Sequence, residues 1–141
     1  MTLVVDAAAV VAMHDRRDPM RASVERVLRD EPGYLVLPAP VSAEVDYLLA
    51  SRGGPVARRP FLEDLAAGRY RVECLEQEDY RTIAALERTY SDLGVGLADL
   101  SIVVLAHRFG TNRVATFDER HFRVLRPIAG GAFTLLPHDQ G

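Results

Sequence analysis

The 141-residue sequence has the size of one domain and an ordinary globular composition, with 48% hydrophobic and 26% charged residues. Its net charge of −3 does not by itself indicate a nucleic-acid-binding protein, and no apolar run approaches the roughly 20 residues of a membrane span. The N-terminal MTLVVD lacks the basic segment of a signal peptide. Cys74 is the single cysteine, so we expect a cytoplasmic protein in which it is a small core residue.

Short apolar runs alternate with helical patterns, which indicates an α/β fold with a mainly parallel central sheet flanked by helices. The predicted strands are Leu3–Val5, Tyr34–Leu37, Arg71–Leu75, Arg113–Thr116 and, at an edge, Phe133–Leu136. The predicted helices are Ala7–His14, Met20–Arg29, Val41–Ala50, Val56–Ala67, Gln77–Leu93 and Leu97–Phe109. We expect residues 1–141 to form a single domain whose last residues, Pro137–Gly141, are frayed.

Two acidic residues lie where predicted strands end. Asp6 closes the run Leu3–Val5, and Asp118 comes shortly after the fourth strand. Ligands of open α/β sheets bind beyond the carboxyl ends of the strands, so the two carboxylates converge if the first and fourth strands are neighbours. The alternative is that each Asp caps the helix or turn that follows it.

Two further acids lie on predicted helices. Glu44 belongs to the apolar stripe of Val41, Val45 and Leu48, whereas Asp46 is about 200° around the helix and should face solvent. Asp99 lies in the first turn of a helix that is apolar almost all round, as buried helices are. Compensation of the helix dipole is the alternative explanation for Asp99. Lone carboxylates are costly to bury, so four together indicate a bound cation, with a hard divalent metal as the first candidate.

Four segments surround these acids in order: VVDAAAVVA, PAPVSAEVDYLL, LGVGLADLSIVVLAHRFG and NRVATFDERHF. With them the chain resembles the PIN-domain ribonucleases and, within these, the VapC-type toxins of bacterial toxin–antitoxin pairs. The resemblance extends over nearly the whole chain. One departure is that Asp6 is followed by two alanines where many relatives have a hydroxyl residue, which concerns an auxiliary ligand and not the main acids.

The resemblance implies a PIN-like domain that hydrolyses RNA phosphodiester bonds with Mg²⁺ or Mn²⁺. Asp6, Asp99 and Asp118 would hold the metal, and Glu44 would complete the catalytic cluster by positioning or deprotonating the attacking water. It also implies a cognate VapB-type antitoxin as partner and a homodimer. A catalytically silent PIN-like module that binds RNA or protein is the alternative, and a nuclease assay with and without EDTA separates the two.

Other phosphate-binding α/β families are disfavoured by residue content. Receiver domains and haloacid-dehalogenase-like phosphatases use a lysine, and all 17 basic residues here are arginines. A dinucleotide-binding domain needs a glycine-rich turn where this chain has Asp-Ala-Ala. Supporting roles near the acids are conceivable for Thr116, Ser101, Arg120 and Arg123, against ordinary strand, helix or surface roles. The four histidines show no metal-binding spacing, so surface or packing roles are expected for them.

Overall fold

The structure, a computed structural model, describes residues 2–140. Its centre is a five-stranded sheet in the order β3-β2-β1-β4-β5, and every neighbouring pair of strands is parallel. The strands are β1 (Thr2–Val5), β2 (Tyr34–Pro38), β3 (Arg71–Glu73), β4 (Arg113–Ala115) and β5 (Thr134–Leu136). The predicted α/β class and parallel sheet are confirmed, as is the edge position of the last strand.

Seven α-helices accompany the sheet in the described part of the chain. They are α1 (Ala7–Met13), α2 (Arg21–Asp30), α3 (Ala39–Gly53), α4 (Arg59–Ala66), α5 (Gln77–Thr89), α6 (Leu97–Arg108) and α7 (Glu119–Phe122). Helix α1 packs with α2 and α3, while α6 lies against β1, β2 and β4. None of these helices combines the length and the apolar character that crossing a membrane requires.

The apolar patterns that predicted β1 and α6 correspond to the most deeply buried elements. Leu3, Val4 and Val5 of β1 are fully buried, as expected for a central strand covered on both faces. Helix α6 buries an unbroken run from Leu100 to Ala106, which leaves only its ends accessible. These two elements therefore fix the position of Asp6, which follows β1, and of Asp99, which lies in the first turn of α6.

Proline accounts for two differences between predicted and observed helices. Helix α3 begins at Ala39, earlier than predicted, because Pro40 is tolerated in a first helical turn, where its missing N–H has no intrahelical partner. The predicted helix Val56–Ala67 is split into a 3₁₀ turn, Pro55–Arg58, and α4, because Pro60 cannot donate the hydrogen bond that a continuous helix needs. The short helix α7 was not predicted.

Two predictions about single segments are wrong. Cys74 is exposed and not in the core, because it lies just past β3, an edge strand with two exposed residues. The tail is tied down as far as the structure describes it, to residue 140. Asp139 accepts hydrogen bonds from the amide of Leu135 at 2.8 Å and from Arg123 at 2.6 and 2.8 Å. Gly141 lies outside the described residues.

One ion pair beneath the sheet predicts a measurable stability difference. The carboxylate of Glu31, just after α2, is fully buried and pairs with Arg113 at the start of β4. Replacing Arg113 by Met leaves that carboxylate without its cation, so we expect a loss of about 3 kcal/mol in the free energy of unfolding. Urea unfolding measures it.

The matched control is Arg81→Met, which removes the highly exposed pair between Arg81 and Glu78. Exposed pairs contribute less than about 1 kcal/mol, so this variant should unfold almost like the parent. Equal losses in the two variants would contradict the assignment of Glu31 as a buried partner.

Candidate active site

The candidate site lies where β1 and β4 end side by side. The two strands pair with Val5 opposite Ala115, and the amide of Asp6 donates to the carbonyl of Ala115 at 2.9 Å. The chain continues from β1 towards β2 on one side, while β4 lies on the other side, so this is a switch point of the sheet. The condition on which the convergence of Asp6 and Asp118 depended is therefore met.

Asp6 is held by hydrogen bonds on both of its carboxylate oxygens. Oδ1 accepts from the amide of Ala7 at 2.8 Å, so Asp6 also caps helix α1. Oδ2 accepts from the hydroxyl of Thr116 at 2.7 Å, and the same hydroxyl accepts from the amide of Asp118 at 2.9 Å. Thr116, which is fully buried, thus ties the end of β1 to the segment after β4.

The ionised form of Asp6 is disfavoured in this environment. The pKa of Asp6 is raised from 3.8 to about 7, first by burial and then by the charges of Asp99 and Glu44, and the hydrogen bonds from Thr116 and Ala7 oppose this shift only in part. A nearby cation would stabilise the ionised form of such a carboxyl group. The pKa therefore indicates a position suited to a metal ion or another positive group.

Asp99, Asp118 and His121 form the tightest group of potential ligands among residues 2–140. One ligand atom from each lies within 4.8 Å of the others. His121 Nδ1 is 3.1 Å from Asp99 Oδ2 and 2.9 Å from Asp118 Oδ2. When both carboxylates are ionised they only accept hydrogen bonds, so a hydrogen bond to either of them requires the hydrogen on Nδ1.

Helix ends account for this grouping. Asp118 caps α7, accepting from the amide of His121 at 2.9 Å, and one turn of helix brings the His121 ring back over the cap. Asp99 approaches from the first turn of α6. Burial, followed by the charge of Asp118, raises the pKa of Asp99, while His121 lowers it in part. The two carboxylates thus repel each other, and the imidazole offsets some of that repulsion.

Glu44 lines the same cleft from the side of α3, together with Asp6, Asp99 and Asp118. Its pKa is raised by burial and then by Asp99, although Glu44 is the most exposed of the four acids. The apolar stripe of α3 that is buried consists of Val41, Val45 and Leu49, and Glu44 lies at its edge.

Asp46 is not the freely solvated acid that helical spacing suggested. It is half-buried and pairs with Arg58 of the 3₁₀ turn before α4. Asp46 does not line the cleft, whereas Glu44 does. The two acids therefore differ in position, but Asp46 is engaged by Arg58 and is not freely solvated.

Sequence reasoning missed three residues that line the cleft: His121, Asp18 and Arg52. The available signals were the three-residue spacing of His121 from Asp118 and the eight-residue spacing of Arg52 from Glu44. Ser101 donates to the carbonyl of Ala98 at 2.6 Å, an ordinary bond within helix α6.

The arginines near Asp118 do not line the cleft. Arg123 is engaged by Glu119 and Asp139, and Arg120 is exposed. Of the two alternatives left open for these arginines, the described contacts therefore favour surface roles over a contact with a substrate phosphate.

The donor set suits a divalent metal ion. Carboxylate oxygens from Asp6, Asp99, Asp118 and Glu44 are the hard ligands that Mg²⁺ and Mn²⁺ prefer, and an imidazole nitrogen from His121 is more favourable for Mn²⁺ than for Mg²⁺. The unfavourable ionisation of Asp6 and Asp99 supports the same conclusion, because a cation would relieve it.

Comparison with known proteins agrees with this geometry. Residues 3–126 match the family model described as PIN domain. The chain belongs to the PIN-domain family. It is 36% identical to Ribonuclease VapC26 of Mycobacterium tuberculosis over 135 residues, which cover 96% of this chain and 100% of that protein. The family resemblance inferred from the four acidic segments is confirmed.

Two solved structures share the fold at low sequence identity. Mycobacterium tuberculosis VapC20, described as a sarcin-ricin loop cleaving toxin, superimposes with a TM-score of 0.76 at 17% identity, over 82% of this chain and 89% of that one. VapBC2 of Rickettsia felis, bound to a DNA fragment from its promoter, gives a TM-score of 0.66 at 14% identity, over 96% and 97% of the two chains. At these identities the likeness establishes the fold alone.

The raised pKa of Asp6 predicts how stability depends on pH without metal. Folding favours the protonated carboxyl group, so its contribution is present at low pH and is lost as pH rises from about 4 through about 7. Asp6→Asn stays neutral, so its stability relative to the parent should increase by about 1 kcal/mol per pH unit across that window and then level off. Urea unfolding in EDTA from pH 4 to pH 8 measures this.

Asp92→Asn is the control, because Asp92 is exposed and makes no ion pair or side-chain hydrogen bond with residues 2–140. Its difference from the parent should not vary with pH in the same way. Loss of the Thr116 hydrogen bond in Asp6→Asn lowers the free energy of unfolding by the same amount at every pH, so it does not change the slope of the difference from the parent. A flat difference for Asp6→Asn would contradict the raised pKa.

Proposed function

We propose that this protein is a divalent-metal-dependent endoribonuclease and the toxin of a type II toxin–antitoxin system. The observation that carries the proposal is the convergence of Asp6, Glu44, Asp99 and Asp118 on one cleft beyond the carboxyl ends of β1 and β4. The 36% identity to Ribonuclease VapC26 over nearly the whole chain supports RNA as the substrate class. The matching PIN-domain family model supports phosphodiester hydrolysis.

Asp6, Asp99 and Asp118 would hold Mg²⁺ or Mn²⁺, with His121 as an additional candidate ligand. When bound, such an ion polarises a phosphoryl oxygen and lowers the pKa of water. Thr116 fixes the orientation of Asp6 through its hydroxyl and that of Asp118 through the backbone. It is therefore a positioning residue.

Glu44 is the candidate general base. Its pKa is raised and its carboxylate is accessible from the cleft, so an Oε atom can orient a water molecule and accept its proton as that water attacks phosphorus. The P–O bond opposite the incoming water breaks, and the leaving oxygen is protonated from solvent. A general base only has to reach the attacking water, so the exposure of Glu44 is compatible with this role.

The proposed partner is a cognate VapB-type antitoxin, which the relationship to VapC proteins supports. A homodimer and a cytoplasmic location belong to the same proposal. Co-purification with the product of the neighbouring reading frame tests the antitoxin partner. Light scattering on the isolated chain tests the homodimer.

The acidic cluster predicts a large and selective loss of activity. Asp99→Asn replaces a carboxylate by a poor ligand for a hard cation, so cleavage of RNA in the presence of Mn²⁺ should fall by at least the roughly 10- to 100-fold that loss of an outer-shell partner costs a metal site. Single-turnover cleavage of total RNA measures it, with EDTA as the metal-free reference.

Asp46→Asn is the matched control on α3, since Asp46 pairs with Arg58 and does not line the cleft. It should retain activity close to that of the parent. Activity in Asp99→Asn close to that of the parent, or parent cleavage that EDTA leaves unchanged, would count against a metal-dependent nuclease at this cleft. Absence of cleavage by the parent in the presence of Mn²⁺ would favour the catalytically silent module.

Metal binding predicts a shift in thermal stability independent of activity. An ion bound only by the folded protein stabilises it by mass action, by about 2.7 kcal/mol at 100 times the dissociation constant. Mn²⁺ should therefore raise the melting temperature of the parent but not of the double variant Asp6→Asn/Asp99→Asn. The same increase in both proteins would show that the ion binds elsewhere.

A further inference from the structure

The charged side chains that line the cleft are mostly acidic. Five carboxylates line it, those of Asp6, Asp18, Glu44, Asp99 and Asp118, against a single arginine. RNA is a polyanion, and the electrostatic attraction of phosphates to basic side chains supplies most nonspecific affinity. A metal ion can neutralise the strand only near the carboxylates. The rest of the strand needs positive charge from the protein.

Among residues 2–140, Arg52 is the one arginine that lines the cleft. Glu44, Leu48 and Arg52 follow one another at four-residue spacing on α3, and all three line the cleft. Eight residues of helix correspond to about 12 Å along its axis. Arg52 is therefore displaced from the proposed general base by a distance that suits a different phosphate of the same strand.

The guanidinium of Arg52 is available for a ligand. Arg52 is exposed, and no carboxylate of residues 2–140 lies within 4.0 Å of it. Two other arginines are engaged by carboxylates: Arg58 pairs with Asp46 and Arg123 with Glu119. Favourable interaction with the helix dipole is the simpler explanation for Arg52, since it lies in the last turn of α3. That explanation predicts no effect on RNA.

We propose that Arg52 binds a backbone phosphate of single-stranded RNA that flanks the scissile one and thereby sets the path of the strand along α3. The inference rests on the proposed nuclease function. A guanidinium can donate two parallel hydrogen bonds to one phosphate, which fixes position as well as charge. The contact is independent of any ion, so it operates in metal-free protein.

The test is RNA binding in EDTA, where the strand is not cut by a metal-dependent enzyme. The probe is a fluorescein-labelled single-stranded RNA of mixed sequence, about 12 nucleotides long, within the range that such grooves cover. Arg52→Gln should weaken binding about fivefold at low salt. It should also reduce the slope of log K against log salt by about 0.7, the value for one phosphate contact on a single strand.

Arg88→Gln is the matched control. Arg88 is also exposed, lies in the last turn of α5, and has no carboxylate of residues 2–140 within 4.0 Å, but it does not line the cleft. Arg88→Gln changes the net charge by the same amount as Arg52→Gln. It should leave the RNA affinity and the salt slope near those of the parent. Arg52→Lys should keep the salt slope and lose part of the affinity, because an ammonium cannot reproduce the bidentate geometry.

A phosphate-by-phosphate version identifies the contact. In RNAs with one uncharged methylphosphonate at a time, one position should weaken binding by the parent and have no further effect on Arg52→Gln. Equal binding by the Arg52→Gln and Arg88→Gln variants, or no salt-dependent binding by the parent, would overturn the proposal. Failure of the nuclease function would appear separately, as absence of RNA cleavage by the parent with Mn²⁺.

Discussion

The hydroxyl of Thr116 makes the two hydrogen bonds on which the geometry of the candidate site depends. It donates to Asp6 and accepts from the amide of Asp118, and so joins the residues that follow β1 and β4. This contact exists because the strands are parallel and in register, with Val5 opposite Ala115. A one-residue slip in this pairing would turn Thr116 to the other face of the sheet and separate the two acids.

The same arrangement has an energetic cost that the apolar core offsets. Asp6 is buried and, with the other acids close by, is harder to ionise than an ordinary aspartate. Around Asp6, β1 and α6 are almost entirely apolar and buried. The unfavourable burial of the acids therefore lies at the carboxyl ends of the strands, next to a well-packed core. Natural proteins depart from the usual rules of burial at functional sites in this way, and a ligand that neutralises the acids restores the lost stability.

The cleft also indicates how a chain with net charge −3 and no lysine can act on RNA. We infer that attraction is concentrated where a cation would meet the carboxylates, with Arg52 as a second point further along α3. His121 places an imidazole nitrogen among the carboxylate oxygens, which distinguishes this cleft from a purely carboxylate cluster and would bear on which divalent ion it favours.

The sequence by itself determined the class of fold, the five strands and, through the resemblance of four segments, the family, and it singled out the four acids as candidates. The fold class and the strands depend on hydrophobic period, and the resemblance depends on the order of the segments along the chain, so both can be read from the sequence alone.

Only the tertiary structure decided which side chains meet. The sequence predicted a surface or packing role for His121, but the cap of α7 places its ring beside Asp99. It predicted a solvated Asp46, but Asp46 pairs with Arg58 of the following 3₁₀ turn. Cys74 looked like a core residue until the strand order put β3 at an edge. Such contacts join residues on separate elements, and no period along the chain encodes the angle at which those elements pack.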